Sequence, residues 1–70
     1  MELQAVNSKS IAKVGYDPQT RTMIVMFNTG STYEVTQVDQ NVYDTFMLSP
    51  SMGSFYAKNI KDKFNFKKII

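Results

Sequence analysis

The chain contains no cysteine, no histidine and no tryptophan. Without cysteine there is neither a disulfide nor a thiol nucleophile, and zinc's usual thiolate and imidazole ligands are both missing. Carboxylates alone would have to hold a metal ion, so no metal site is expected. The absence of histidine removes the side chain that most often moves protons near neutral pH. A hydroxyl nucleophile would then need a lysine or a carboxylate as its base. Acids are also scarce: Glu2, Asp17, Glu34, Asp39, Asp44 and Asp62. Asp39 and Asp44 lie five apart on an expected helix, about 140° round its axis, and do not converge. Glycine-rich phosphate loops are absent, since Asn28-Thr29-Gly30-Ser31 holds one glycine and Gly53 opens no glycine run. No catalytic residue and no small-molecule cofactor are expected, and the chain reads as non-enzymatic.

Long apolar runs are missing too. The longest, Met23–Phe27, falls far short of a membrane span, and Met1-Glu2-Leu3-Gln4 lacks the basic start of a signal peptide. The expectation is a cytoplasmic protein with no membrane partner. Seventy residues, 43% hydrophobic and 20% charged, make one globular domain over residues 1–70. At this length a core barely offsets the entropy of ordering, and small domains commonly add a disulfide, a metal or a partner chain. With a disulfide impossible and a metal not expected, a homodimer or docking onto a larger protein partner stands level with a marginally stable monomer.

Net charge is +2, but the charge is unevenly placed. Up to residue 57 the chain carries Lys9, Lys13 and Arg21 against Glu2, Asp17, Glu34, Asp39 and Asp44. Beyond it come Lys58, Lys61, Lys63, Lys67 and Lys68 against Asp62 alone. The C-terminal end is a positive region on a slightly acidic body.

Thr22–Phe27, TMIVMF, is apolar on both parities after Thr22, as in a strand covered on both faces, and has a turn on either side. Asp17-Pro18 predicts a type I turn before it, and Gly30 is the residue expected at positive φ in the hairpin loop after it. Ile11–Tyr16 and Thr32–Val38 are the flanking strands. In the first, Gly15 marks a bulge or a close backbone approach; in the second, Tyr33, Val35 and Gln37 alternate with Thr32, Glu34 and Thr36. Met1–Asn7 reads as an added edge strand or a frayed end. Asp39 is the expected N-cap of a first helix striped by Val42, Tyr43, Phe46 and Met47, which Ser49-Pro50 ends. Ser51 caps a second helix running to about Lys63, with Met52, Phe55, Tyr56, Ile60 and Phe64 on its apolar face. Gly53 in its first turn is there to let another backbone come close. Phe64–Ile70 is a short C-terminal strand or an extended packed segment. The class is α+β: a three-stranded antiparallel meander followed by two helices packed on one face, β-β-β-α-α.

Taken as an ordered set, Ser8, Ile11, Val14-Gly15-Tyr16-Asp17, Thr20-Arg21-Thr22, Phe27, Gly30, Tyr33, Val42-Tyr43, Ser51-x-Gly53, Phe55-Tyr56 and Ile60 resemble the KTSC domain. That family is named for the C-terminal extension of some lysyl-tRNA synthetases and also occurs as a stand-alone bacterial or phage protein. The similarity runs over about residues 6–66. The family's central Tyr-x-Tyr reads Tyr33-Glu34-Val35 here, and the asparagine usual after the paired aromatics of the second helix is Ala57. The proline usual after the third strand is absent from Val38-Asp39-Gln40. The resemblance implies a role in RNA binding and no enzymatic activity.

Two functional readings follow. In the first, the chain is a small RNA-binding module: Lys58, Lys61, Lys63, Lys67 and Lys68 neutralise phosphates, and Phe66 or Tyr33 stacks on a base. Phe64, on the helical stripe, is expected in the core instead, and the four tyrosines are expected chiefly to pack. In the second, the chain is a protein-interaction module, either a homodimer or a phage-encoded effector that occupies a host protein. This rests on the small core, the apolar middle strand and the Ile69-Ile70 end. Met23, Met26, Met47 and Met52 would suit an adaptable surface, but core filling is preferred for them.

Overall fold

A computed structural model describes residues 2–70. Five strands, β1 (Gln4–Ala5), β2 (Ile11–Asp17), β3 (Thr22–Phe27), β4 (Thr32–Val35) and β5 (Phe66–Lys68), form one antiparallel sheet in chain order. Between β4 and β5 lie α1 (Gln40–Leu48) and α2 (Met52–Phe55), and α2 runs on without a break into a π-helical turn over Tyr56–Ile60. The three-stranded meander is therefore the centre of a larger sheet. The N-terminal segment adds one edge and the tail the other; Met1 lies outside the described residues.

Strand parity decides which side chains meet the helices. Val14 pairs with Val25 and Tyr16 with Met23, then Val25 with Tyr33 and Met23 with Val35. Val14, Met23, Val25 and Val35 on this face are fully buried, as are Phe46 and Ile60 from the helices, with Met52 and Tyr56 nearly so. Ile24 and Met26 point to the other face, half-exposed and outside the core cluster. The middle strand is thus covered on one face by helices, not on both. Its second apolar row lies beside neighbours in the sheet, such as Glu34, which pairs with Ile24, and Lys13, which pairs with Met26.

The turns follow their residues. Asp17 Oδ1 accepts from the Gln19 amide at 3.0 Å, and Gly30 takes φ +95° with no atom near the position a Cβ would fill. The register irregularity of β2 falls between Ile11 and Lys13, so Ala12 is the extra residue and Gly15 pairs regularly with Ile24. The third strand stops at Val35, three residues earlier than expected. Gln37 adopts φ 60°, which a strand does not allow, and the Thr36 amide donates to the Asn65 carbonyl.

That kink docks the β4–α1 connection onto the β2–β3 turn. Val38 is fully buried, and both its backbone groups are taken: its amide donates to the Arg21 carbonyl at 2.8 Å, and its carbonyl accepts from the Tyr16 hydroxyl at 2.5 Å. The Tyr16 ring stacks on Tyr43 of α1 at 4.6 Å and 11°. Arg21, itself at φ 55°, donates from Nη1 to Asp39 Oδ1 at 2.8 Å. Asp39 stands at the N-cap of α1, yet its carboxylate goes to Arg21 and not to the helix amides; its backbone carbonyl accepts from Val42 and Tyr43. Ser49, extended before Pro50, ends the helix.

The second helix is shorter than its apolar stripe predicts. The Lys61 amide bonds to the Tyr56 carbonyl five residues back at 2.9 Å, and the chain then turns at Lys61–Phe64. The widened turn keeps Tyr56 and Ile60 both in the core and presents Ala57, Lys58 and Asn59 consecutively to solvent. At Gly53 the close neighbour is the Ser10 side chain, not another backbone: a Cβ there would collide with the Ser10 hydroxyl. Phe64 packs against the core as expected, while Met26 stays half-exposed. Among the described residues, no helix is long and apolar enough to cross a membrane.

Gln37 holds a left-handed conformation with an exposed side chain, and that conformation costs a non-glycine residue about 1 kcal/mol or more. Gln37→Gly is expected to stabilise the fold by about 0.5–1 kcal/mol, read as a melting temperature several degrees higher. Arg21→Gly should gain less, since it also removes the contact to Asp39. A melting temperature for Gln37→Gly at or below that of the parent would refute the strain assigned to this position.

Candidate nucleic-acid interface

Where β4 and β5 pair, the core face reaches the edge of the helical cover. Tyr33 sits opposite Lys68 and Val35 opposite Phe66, so Tyr33, Phe66 and Lys68 share one sheet face. On β3, Met23, Val25 and Phe27 run along that face from full burial to half-exposure at the hairpin end. Four rings meet there edge to face: Phe66–Tyr33 at 5.7 Å and 70°, Tyr33–Phe27 at 5.7 Å and 81°, and Phe27–Tyr56 at 5.3 Å and 80°. Each ring is braced by the next, so their orientation is set before any ligand arrives. Phe66 is 45% exposed and forms the outer wall.

These rings line an open cleft of about 330 Å³. Its polar margin is Thr29 and Ser31 of the hairpin and Lys61 after the π turn, and Ala57 completes the rim. An apolar floor with hydroxyls and one ammonium at the rim can take a flat, polar-edged ring carrying a negative charge nearby.

The residues proposed from sequence fall into three groups. Tyr33, Phe66 and Lys61 line the cleft together, and Lys68 lies on the same sheet face beside Tyr33. Lys58 and Lys63 are exposed on the π turn and the turn that follows it. Lys67 points to the opposite face of the sheet, across from Glu34, because neighbouring strand residues alternate. The five lysines therefore do not form one patch. Nor are they neutralised in pairs: among the described residues the single ion pair is Arg21–Asp39. No cluster of carboxylates able to hold a metal occurs among the described residues.

Sequence reasoning missed Phe27, Tyr56, Thr29, Ser31 and Ala57 as parts of this cleft. Phe27 had a readable signal, since it shares parity with Met23 and Val25 at the strand end next to the turn. Tyr56 is a core residue, as its place on the helical stripe predicts, and only 6% exposed, yet it also lines the cleft.

The fold and the cleft define a small sheet-and-helix domain. The KTSC domain family model matches residues 7–64, and the chain belongs to that family. A crystal structure of a KTSC domain protein from Yersinia pestis superposes with a TM-score of 0.93 at 35% identity, covering 99% of this chain and 97% of the other. A protein of Tsukamurella paurometabola is 32% identical over 62 residues, 89% of this chain and 92% of its own length. A lysine–tRNA ligase of Nostoc punctiforme is 34% identical over 59 residues, 84% of this chain; the chain spans 10% of that enzyme's length.

Burial raises the pKa of Tyr16, Tyr43 and Tyr56, with Asp39 adding to the effect at Tyr16, Asp44 at Tyr43 and Tyr33 at Tyr56. A pKa raised on folding favours the neutral phenol in the native state. Its stabilisation is complete below pH 10, the unfolded value, and is lost as pH rises through the folded value. Thermal stability should therefore fall above pH 10, and Tyr16→Phe should flatten that fall while costing about 1 kcal/mol at neutral pH through the lost bond to Val38. Melting curves from pH 8 to 11 check this; an alkaline slope unchanged in Tyr16→Phe would show that Tyr16 plays no part.

Proposed function

We propose that this chain is a non-enzymatic module that binds single-stranded RNA through the aromatic cleft. The observation that carries the reading is the meeting of Tyr33, Phe66 and Lys61 in one cleft braced by Phe27 and Tyr56. An unpaired base stacks against Phe66 or inserts beside Tyr33, with Ser31 and Thr29 able to hydrogen-bond its edge. Lys61, Lys68, Lys58 and Lys63 neutralise the backbone around it. Lys67, on the far face, contributes least. Support also comes from relatives whose name places them on tRNA, the lysine–tRNA ligases, in which a segment like this chain makes up about a tenth of the length. A module of this size with one stacking cleft binds weakly alone, and gains when linked to a second RNA-binding unit that raises its effective concentration.

Binding of labelled mixed-sequence single-stranded RNA, followed by fluorescence anisotropy across a salt series, tests this. With three or four phosphates neutralised, log K should fall against log salt with a slope of about −2 to −3. Phe66→Ala should weaken binding roughly ten-fold with little change in slope, because stacking carries no counterions. Lys61→Ala should reduce the slope by about 0.7, and Lys67→Ala should change it less. No binding at low salt, or binding independent of salt, overturns the reading.

One observation favours a second reading, a protein-interaction module acting as a homodimer or a phage-encoded effector. Ile24 and Met26 are partly exposed on the face of the sheet away from the helices, and Ile69 and Ile70 are 44% and 75% exposed at its edge. Light scattering over a concentration series separates the homodimer from the monomer: a constant mass of 8.0 kDa removes the homodimer.

A further inference from the structure

A second and larger cavity adjoins the aromatic cleft. It has a volume of about 750 Å³ and lies between the approach to β2, Asn7–Ser10, and the start of the second helix, Pro50–Ala57. We propose that this cavity holds the sugar–phosphate of the nucleotide next to the one seated in the aromatic cleft, so that a single RNA strand crosses the widened turn at Ala57. The inference rests on the RNA reading above and extends it to a second point of contact.

The wall chemistry differs from that of the cleft. Ser8, Ser10, Ser51 and Ser54 contribute hydroxyls and Lys9 an ammonium; neither a carboxylate nor an aromatic ring lines it. Ser8 Oγ already accepts from the amides of Ser10 and Ile11, each at 3.3 Å. Both lone pairs of that oxygen are thereby occupied, and what it can still offer a ligand is its proton. The Ser10 side chain lies where only a glycine at position 53 leaves room for it. The cavity thus presents hydroxyls, the Asn7 amide and one lysine beside the apolar Pro50 and Met52, with no carboxylate to repel an anion and no ring for a base to stack on, which suits a phosphodiester and its ribose hydroxyls.

Continuity supplies the second half of the argument. Ala57 lines both cavities, on the turn where the i→i+5 bond pushes three successive residues outward. A methyl group is all that its side chain places between the stacking site and the hydroxyl-rich one. Exposed Lys58 follows it, so a strand passing over the turn keeps a cation within reach. The two cavities divide the work: rings for a base on one side of Ala57, donors and Lys9 for the backbone on the other.

Amide chemical shifts of the isotopically labelled chain test this with three probes: adenosine, inorganic phosphate and a four-nucleotide adenylate strand. Adenosine should move the amides of Ser31, Tyr33 and Phe66. The strand should move these and also Ser8, Lys9, Ser10, Gly53 and Ser54. Lys9→Ala combined with Ser54→Ala, both at exposed positions that leave the core intact, should weaken the strand about five-fold and lower its salt slope by about 0.7, with a much smaller effect on adenosine. If the strand moves the cleft amides while the serine-lined cavity stays silent, the second contact is wrong and the RNA reading survives. If the strand moves neither, both fall. If inorganic phosphate moves the cavity amides but the strand does not, the cavity is a free-anion site and the proposal is overturned.

Discussion

Everything in this molecule depends on one row of side chains, Met23, Val25 and Phe27, along the helix-facing side of the middle strand. The first two are fully buried against Val14, Val35 and the aromatic faces of the two helices. A chain of this length has no disulfide and no metal-ligating cluster among its described residues, so burial of this face is what offsets the entropy of ordering. The helices are too short to roof the whole sheet. They cover Met23 and Val25 and run out over Phe27, and the aromatic cleft opens at that margin. The proposed binding site is the place where the core ceases to be covered.

That origin explains why the cleft is both apolar and ordered. Exposed rings usually cost side-chain freedom when they engage a ligand, but here Phe27, Tyr33, Phe66 and Tyr56 hold one another by edge-to-face contacts continuous with the core. The ordering cost is met by folding and not by binding. The departures from the family pattern divide along the same line. Val35 stands where the second tyrosine of the central motif is usual, and it is fully buried between Met23 and Phe66 in the sheet. The change there alters packing. Ala57, in place of the usual asparagine, is exposed on the wall of both cavities, so that substitution changes surface chemistry directly.

Much of the fold was legible because its signals are local. The Asp17-Pro18 turn, the Gly30 hairpin, the parity of β2 to β4 and the Ser49-Pro50 stop each depend on a few adjacent residues. What was hidden depends on partners far along the chain. Gln37 has no strong preference for a left-handed conformation; it takes one because Val38 must reach the Arg21 carbonyl and the Tyr16 hydroxyl. The π turn is equally silent in the sequence, since a spacing of four between Tyr56 and Ile60 fits an ordinary helix as well. Both apolar parities of Thr22–Phe27 suggest double cover, but a central strand flanked by its neighbours carries the same pattern. The site was legible as a list of residue types and illegible as a place. Only the antiparallel return of Phe66–Lys68 onto Thr32–Val35 brings Phe66 to Tyr33, and the same pairing sends Lys67 to the far face.

The same pairing decides which force dominates at the proposed interface. Had all five lysines shared one surface, charge alone would account for binding, and the affinity would vanish as salt rose. With Lys67 turned away and Lys61 as the ammonium at the cleft itself, the electrostatic share is smaller and the rings matter more. Stacking contributes about 1–3 kcal/mol per base and does not depend on salt concentration in the way that counterion release does. A surface built this way discriminates by whether a base is free to leave its stack. At the proposed interface duplex RNA would present phosphates to the lysines but nothing to Tyr33 and Phe66, whereas a loop or single strand would engage both. On the proposed reading, a preference for unpaired RNA would follow from an aromatic core edge left uncovered by two short helices.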